Sequence, residues 1–355
     1  MGKQEINALV ERWVRPEIRE LSAYHVPDAT GLIKLDAMEN PYTWPDQLRG
    51  EWLELLRRVD MNRYPDPQAT AVTAALERSM GAPAGMRLLL GNGSDELIQM
   101  LAMTLGGPGR TILSVDPGFV MYDMIARFVG MEYVGVPLRA DDFSLDTPAL
   151  LQAMERHQPA LIFLAYPNNP TGNLFSEQEL LQIIEAAPGV VVIDEAYAPF
   201  TDASFMSRVG EYPNLLVMRT VSKMGLAGLR LGLLVGAPEW IEQIDKTRLP
   251  YNINVLTQAS AEFALGHQDL FDAQTSEIRR QRGELFSTLQ EMGGIRPFPS
   301  EANFILVRMP QGRAREIHGA LRERGVLVKC LDGAHPLLQE CLRITVGTPE
   351  ENATL

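Results

Sequence analysis

Short, mainly apolar runs recur through the first two thirds of the chain, and most give way to a cluster of polar and turn-forming residues. Arg87 to Leu90, Thr111 to Val115, Leu161 to Leu164, Val190 to Ile193, Leu215 to Met218 and Leu231 to Val235 are such runs, with Tyr133 to Val136 beside them. Runs without polar alternation read as strands buried on both faces, the habit of a parallel sheet. The stretches between them read as helices: Gln68 to Met80, Leu97 to Leu105, a helix ending at Phe128, Pro148 to His157, Glu177 to Ala186 and Pro238 to Arg248. Alternating strands and helices predict an α/β fold with a mainly parallel sheet flanked by helices.

The two ends of the chain break this rhythm. Residues 1 to 30 read as a helical arm followed by a Pro-containing extended segment, and Lys34 to Pro41 as a strand stopped by Asn40-Pro41. A short helix is expected over Trp52 to Val59. The two prolines of Asn62-Arg63-Tyr64-Pro65-Asp66-Pro67 then force an extended, exposed path. Pro250 to Asn254 looks like a crossing into a second unit. That unit has a helix from Val255, a long charged helix over Asp269 to Met292 and a helix over Arg313 to Arg324. Its strands are expected over Asn303 to Arg308, Val326 to Lys329 and Cys341 to Val346, a smaller α+β arrangement. At 355 residues the chain exceeds one simple core. The expected division is an arm and strand over 1–40 that pack with the small domain, a large domain over 41–250, and a small domain over 251–355.

Composition narrows the function classes. A net charge of −13 argues against a general binder of nucleic acid or of membrane surfaces, so an anionic substrate needs a local nest of Arg or Lys. Cys330 and Cys341 lack metal-ligand spacing and the five histidines are scattered, so no metal site is expected. The first twenty residues are charged and no apolar run reaches spanning length, which makes the cytoplasm the expected location.

The chemistry gathers at strand ends. Four apolar runs finish in Gly91-Asn92-Gly93-Ser94-Asp95-Glu96, Pro167-Asn168-Asn169-Pro170-Thr171-Gly172, Asp194-Glu195-Ala196-Tyr197 and Thr220-Val221-Ser222-Lys223. In a parallel sheet these ends lie along one edge and face one cleft. Ser94 is expected to cap a helix whose N-terminus presents free N–H groups to an anion. Asp194, closing a fully apolar strand, is costly unless it meets a cation or donor. Lys223, the hydroxyls of Thr220 and Ser222, and Arg230 together suit a phosphate joined to a carbonyl, with the lysine taking the carbonyl as a Schiff base. Pyridoxal phosphate (PLP) is such a compound. Singly, each motif has an ordinary reading: a solvated basic loop, a capped turn, a core Phe119, a surface Tyr64. Their convergence outweighs those readings.

In this order, Asn-Pro-Thr-Gly, Asp-x-x-Tyr, Ser-Lys with a downstream Arg, and Leu342-Arg343-Ile344-Thr345 resemble the fold type I PLP enzymes of the aspartate aminotransferase superfamily. With Asp36-Ala37-Met38-Glu39-Asn40-Pro41, Arg63-Tyr64-Pro65-Asp66 and Pro250 to Asn254, the chain is similar to the histidinol-phosphate aminotransferases from about Tyr24 to Thr348. The resemblance implies a homodimeric enzyme exchanging an amino group between histidinol phosphate and glutamate/2-oxoglutarate in histidine biosynthesis. It implies that Lys223 holds PLP and moves the substrate proton, and that Asp194 pairs with the pyridinium nitrogen. Asn169 and Tyr197 would bond the ring's phenolic oxygen, and Phe119 would stack on the ring. Ser94, Asp95, Thr220, Ser222 and Arg230 would bind the cofactor phosphate, reached from the partner subunit by Tyr64. Arg343, Lys329, Tyr24 and Asn40 would meet the substrate. An aromatic amino-acid aminotransferase and a threonine-phosphate decarboxylase of the same fold share much of this pattern. Lys329 stands where some relatives carry a second arginine, and a lysine makes no bidentate fork. The Lys223-to-Arg230 interval is one residue shorter than in better-known relatives, which bears on local loop geometry.

Overall fold

A computed structural model describes residues 2–23 and 26–355. The chain enters through two helices, α1 (Lys3–Trp13) and α2 (Pro16–Arg19), then forms a three-residue strand, β1 (Ile33–Leu35). Helices α3 (Asp46–Leu56) and α4 (Thr70–Met80) lead into β2 (Arg87–Asn92) and α5 (Gly93–Leu105). Strand–helix alternation follows with β3 (Thr111–Asp116), α6 (Met121–Val129), β4 (Glu132–Pro137), α7 (Thr147–His157), β5 (Leu161–Ala165), α8 (Glu177–Ala186) and β6 (Val190–Asp194). Strands β7 (Leu215–Thr220) and β8 (Leu231–Gly236) flank the lysine turn, and α9 (Pro238–Asp245) and α10 (Val255–Leu265) come after them. The C-terminal third comprises α11 (Gln268–Glu291), β9 (Arg296–Pro297), β10 (Phe304–Arg308), α12 (Ala314–Glu323), β11 (Val326–Cys330), β12 (Cys341–Thr345) and α13 (Pro349–Thr354).

Seven strands make the larger sheet, in the order β2-β8-β7-β6-β5-β3-β4. Strands β7, β6, β5, β3 and β4 run parallel, whereas β8 is antiparallel to both of its neighbours. Two reversals leave β2 pointing the same way as β7. The ends of β2, β5, β6 and β7 therefore share one edge of the sheet, as expected from the polar clusters that follow them. Alternate residues of each strand face opposite layers. Ile112, Leu161, Val192 and Leu216 pack under Leu97, Ile98, Tyr122, Ile125 and Ile241. Leu113, Ile162, Val191 and Val217 face Val72, Leu76, Leu150, Leu180 and Ile183. With both faces covered, every position of β5, β6 and β8 is buried.

The smaller sheet has the order β1-β11-β12-β10-β9, with β1 parallel to β11 and the remaining pairs antiparallel. Its core, which includes Leu35, Phe304, Ile305, Val328 and Ile344, also takes in Tyr197 and Phe200 from the loop after β6. Helix α11 spans the two cores, burying Phe271 in the first and Ile278, Leu285 and Leu289 in the second. The two sheets are thus held around a shared seam.

Several boundaries differ from the expectations, each for a local reason. The expected strand over Lys34 to Pro41 is only Ile33–Leu35. Met38 turns the chain out of the sheet with φ 55°, and its N–H donates to Thr345 Oγ1 rather than to a ladder. The helix expected from Trp52 begins at Asp46, directly after Pro45, and ends at Leu56. Ser94 is not the N-cap of α5: the helix starts at Gly93, and the Asn92 N–H is satisfied by Glu96 Oε2 at 2.6 Å. Helix α9 stops at Asp245, whose carboxylate receives Arg248 Nε at 2.6 Å. The antiparallel setting of β8 was not visible in its apolar run, because burial on both faces carries no direction.

Candidate active site

The turn between β7 and β8 supplies the central cation. After Thr220 the backbone makes one π-helical turn over Ser222–Leu226 and one 3-10 turn over Ala227–Leu229, bringing Arg230 back beside the start of Lys223's loop. Thr220 Oγ1 donates to the Leu231 carbonyl at 3.0 Å and accepts the Ser222 N–H at 3.2 Å, closing the neck of this turn. Every residue expected to hold the cofactor, except Tyr64, lines one cavity: Ser94, Asp95, Phe119, Asn169, Asp194, Tyr197, Thr220, Ser222, Lys223 and Arg230. The cavity is completed by Met38, Ala165 and Ala196.

At one end lies an anion cradle. The first turn of α5 presents its unpaired N–H groups where Arg230 approaches, and Arg230 donates to Asp95 Oδ2 at 3.3 Å. Gly93 sits at φ 77°, and a Cβ there would stand 2.7 Å from the Arg230 guanidinium. Across the sheet, a Cβ at Gly232 would strike the Gly93 carbonyl carbon at 2.6 Å. Side chains at either place would fill the cradle or push α5 off β8. The set of helix N-terminus, Ser94, Ser222 and Arg230 fits a phosphate.

At the other end lies Asp194, 3% exposed at the tip of β6. Its Oδ2 accepts the Tyr122 hydroxyl at 2.7 Å and its Oδ1 the Ala196 N–H at 3.1 Å. Burial lifts its carboxyl to about 6 against the pull of those two donors, with Asp95 and Glu195 adding further upward repulsion. Lys223 moves the opposite way: burial, helped by the nearby Arg343 charge, brings its amine down to about 8. Its Nζ lies 5.9 Å from the Tyr197 ring centroid. Desolvation also raises the Tyr197 phenol, whose hydroxyl donates to Met38 Sδ at 3.2 Å. An ionisable acid suited to a cationic ring N–H and a readily deprotonated lysine thus face one space, with the phosphate cradle alongside. This donor set fits PLP.

The smaller sheet reaches the same seam. Arg343, 8% exposed in mid-β12, donates to Asn169 Oδ1 at 2.7 Å and to the Asp36 carbonyl at 3.0 Å. Its guanidinium carbon lies 5.5 Å from the Phe304 ring centroid. Lys329 is its cross-strand partner on β11, so both cations stand on one face of the sheet. Asn40 is not among the cavity residues. Its amide is engaged by the Met224 carbonyl at 2.9 Å and Gln274 at 3.0 Å, tying the entering segment to the lysine turn and α11. Tyr64 stands apart from this cavity too, 79% exposed and stacked on Tyr251 with ring centroids 4.5 Å apart. Tyr24 lies outside the described residues.

Three participants were not singled out from sequence. Tyr122 is fully buried and bonded to Asp194. Met38 enters the cavity from the small-sheet side. Glu195, 1% exposed, forms a buried ion pair with Arg219 at 2.7 Å and receives the Ser204 hydroxyl and Phe205 N–H, pinning the loop after Asp194 to β7. The pairing of Arg219, last but one in its strand, with the acid after Asp194 was the available signal for that loop.

Comparison with known proteins agrees with this geometry. Residues 30–355 match the family described as aminotransferase class I and II. A histidinol-phosphate aminotransferase of Nitrosococcus oceani is 56% identical over 343 residues, covering 97% of this chain and 95% of that protein. One from Chromobacterium violaceum is 52% identical over 346 residues, covering 98% and 96%. Among solved structures, the histidinol-phosphate aminotransferase of Sinorhizobium meliloti in complex with pyridoxal-5'-phosphate superposes with a TM-score of 0.84 at 25% identity, covering 96% of this chain and 95% of that one. The chain belongs to the class I and II aminotransferases and, within them, to the histidinol-phosphate aminotransferase family.

Proposed function

We propose that this enzyme transfers an amino group between histidinol phosphate and 2-oxoglutarate, giving imidazole acetol phosphate and glutamate, as a step of histidine biosynthesis with PLP as cofactor. The observation that carries the reading is the single cavity joining Lys223, Asp194 and the Ser94–Ser222–Arg230 cradle, in a chain half identical to histidinol-phosphate aminotransferases over nearly its whole length. Bound PLP supplies an aldehyde that condenses with amines and a protonated ring that draws electrons from the substrate's Cα.

The chain's own residues do the rest. The α5 N-terminus, Ser94, Asp95, Thr220, Ser222 and Arg230 anchor the phosphate, and Phe119 stacks on the ring. Asp194 holds the proton on the ring nitrogen. Asn169 Oδ1 accepts from Arg343, which leaves its amide N–H to donate to the ring's phenolic oxygen, and the Tyr197 hydroxyl, which donates to Met38 Sδ in this structure, would turn to join it. Lys223, its amine brought down to about 8, would take the proton from the substrate's Cα and deliver it across the intervening nitrogen to the cofactor's aldehyde carbon. Arg343 and Lys329 grip the anionic end, the carboxylate of glutamate or the phosphate of histidinol phosphate.

Half-reactions of the purified holoenzyme test the substrate. Histidinol phosphate should discharge the visible cofactor band far faster than phenylalanine, and threonine phosphate should release no CO₂. Faster discharge by phenylalanine would make the chain an aromatic amino-acid aminotransferase; CO₂ from threonine phosphate would make it a decarboxylase.

The working unit in this reading is a homodimer with shared sites. Segments 61–67 and 248–258 are bound together by Arg248 donating to the Pro67 carbonyl and Gln258 to the Asp66 carbonyl. Between them they expose Met61, Tyr64, Leu249, Tyr251 and Leu256, an apolar face suited to a second copy. Tyr64 then serves the partner's cofactor phosphate. Mixing Lys223→Ala with Tyr64→Asp under subunit exchange should restore roughly a quarter of all sites, because each mixed dimer has one intact site. No recovery despite confirmed exchange would sink the shared-site arrangement.

A further inference from the structure

We infer that Tyr122 is the positioning residue of the cofactor site, its hydroxyl orienting Asp194 and its ring setting Phe119. The inference rests on the reading of Asp194 as the partner of the cofactor's ring nitrogen. Tyr122 belongs to α6, which follows β3, whereas Asp194 ends β6 on the far side of β5. The phenol bridges that intervening strand. Its ring lies on Phe163 of β5, centroids 4.6 Å apart and 4° from parallel, and its hydroxyl reaches Asp194 Oδ2 at 2.7 Å. The same ring meets Phe119 edge to face at 5.4 Å and 86°.

Each feature has a physical consequence. A phenol with no exposed surface needs an acceptor, and a carboxylate 3% exposed needs donors. Their bond answers both demands. With Tyr122 on Oδ2 and the Ala196 N–H on Oδ1, the carboxylate cannot turn about its Cβ–Cγ bond without losing a donor. Its remaining lone pairs are therefore aimed by the protein, not by the ligand. The edge-to-face contact fixes the plane of Phe119, which lines the cavity. A phenylalanine at 122 would fill the same space and keep both ring contacts, so the hydroxyl points to a role beyond packing.

The test separates orientation from packing. Tyr122→Phe holoenzyme should fold with its ring contacts intact yet run the glutamate half-reaction about tenfold slower or worse, with KM near the wild-type value. The hydroxyl draws the Asp194 carboxyl down, while Asp95 and Glu195 push it up. Its removal should shift the acid limb of PLP binding to higher pH. In the Asp194→Asn background the same substitution should add little further loss, because the group it orients no longer carries charge. Equal losses in both backgrounds, or an acid limb that does not move, would reduce Tyr122 to a packing residue. If Tyr122→Phe did not fold, 3,5-difluorotyrosine at 122, a stronger donor of the same shape, should move the acid limb to lower pH; an unmoved limb would overturn the inference. A harmless Asp194→Asn would instead defeat the underlying assignment of Asp194. The glutamate half-reaction and PLP titration do not depend on histidinol phosphate being the physiological substrate.

Discussion

The two sheets contribute to the site in different ways. The seven-stranded sheet delivers its groups from strand ends: Ser94 and Asp95 after β2, Asn169 after β5, Asp194 closing β6, and Ser222 with Lys223 after β7. The five-stranded sheet delivers Arg343 and Lys329 from within strands, side by side on one face, and Met38 from a segment that has just left its edge. Strand ends are where backbone N–H groups, hydroxyls and turns are free to wrap a cofactor. A pleated face offers fixed side chains at a fixed spacing, which suits gripping one end of a substrate. Cofactor chemistry on one unit and substrate grip on the other is the division this comparison suggests.

The strongest test of that division is Lys223→Ala. Turnover should fall by about three orders of magnitude or more, while PLP still binds through the cradle. Borohydride should no longer fix the cofactor to the protein; fixation at wild-type yield would move the Schiff-base role to another lysine. Asp194→Asn comes next, with removal of the Cα proton slowed about a hundredfold or more. Its stability signature runs the other way. The wild-type carboxyl titrates near 6 when folded, above its usual range, so its burial weakens the apoprotein above that pH and ceases to do so once it is protonated. Apo Asp194→Asn should therefore melt higher than wild type at pH 7.5, and the gain should fade as pH drops from 6 toward 4. A gain that grew in acid would contradict the raised carboxyl.

On the other sheet, Arg343→Ala should cost about 2–5 kcal/mol in kcat/KM for histidinol phosphate and much less for unphosphorylated histidinol. Equal losses on the two substrates would remove Arg343 from phosphate recognition. The smallest expected effect belongs to Lys329→Ala. A half-buried lysine grips as a point charge without a bidentate fork, so the same substrate pair should separate by only about fivefold to tenfold. A loss matching that of Arg343→Ala would make the two cations equal partners and erase the distinction drawn between them.

Much of the large unit was legible because its signals are local. A β-branched apolar run such as Val190–Ile193, set between helical stretches, reads as a strand buried on both faces, and the polar cluster after it then lies at a sheet edge. Asp194, Asn169, Ser222 and Lys223 could be placed together from that logic alone. Helix starts were less legible. Ser94 is a good capping residue in isolation, but Glu96 reaches back to the Asn92 N–H and the helix begins earlier. Asn40 shows the limit of a motif: its amide serves Met224 and Gln274, contacts spanning 184 and 234 residues of sequence.

The chain's pattern of apolar runs and turn clusters by itself determined a strand–helix alternation, a common edge for four strand ends, and a lysine, an acid and an anion nest at that edge. Those features follow from burial and backbone geometry acting over a few residues. The tertiary structure alone decided that β8 runs antiparallel, that Tyr122 crosses β5 to hold Asp194, and that Met38 and Arg343 arrive from the second sheet. It also set the proton affinities: Lys223 near 8 and Asp194 near 6 are products of desolvation and of charges brought close by folding. Direction in a doubly buried strand, a partner beyond the neighbouring strand and the loss of water around a charge are properties of packing, and no local stretch of sequence encodes them.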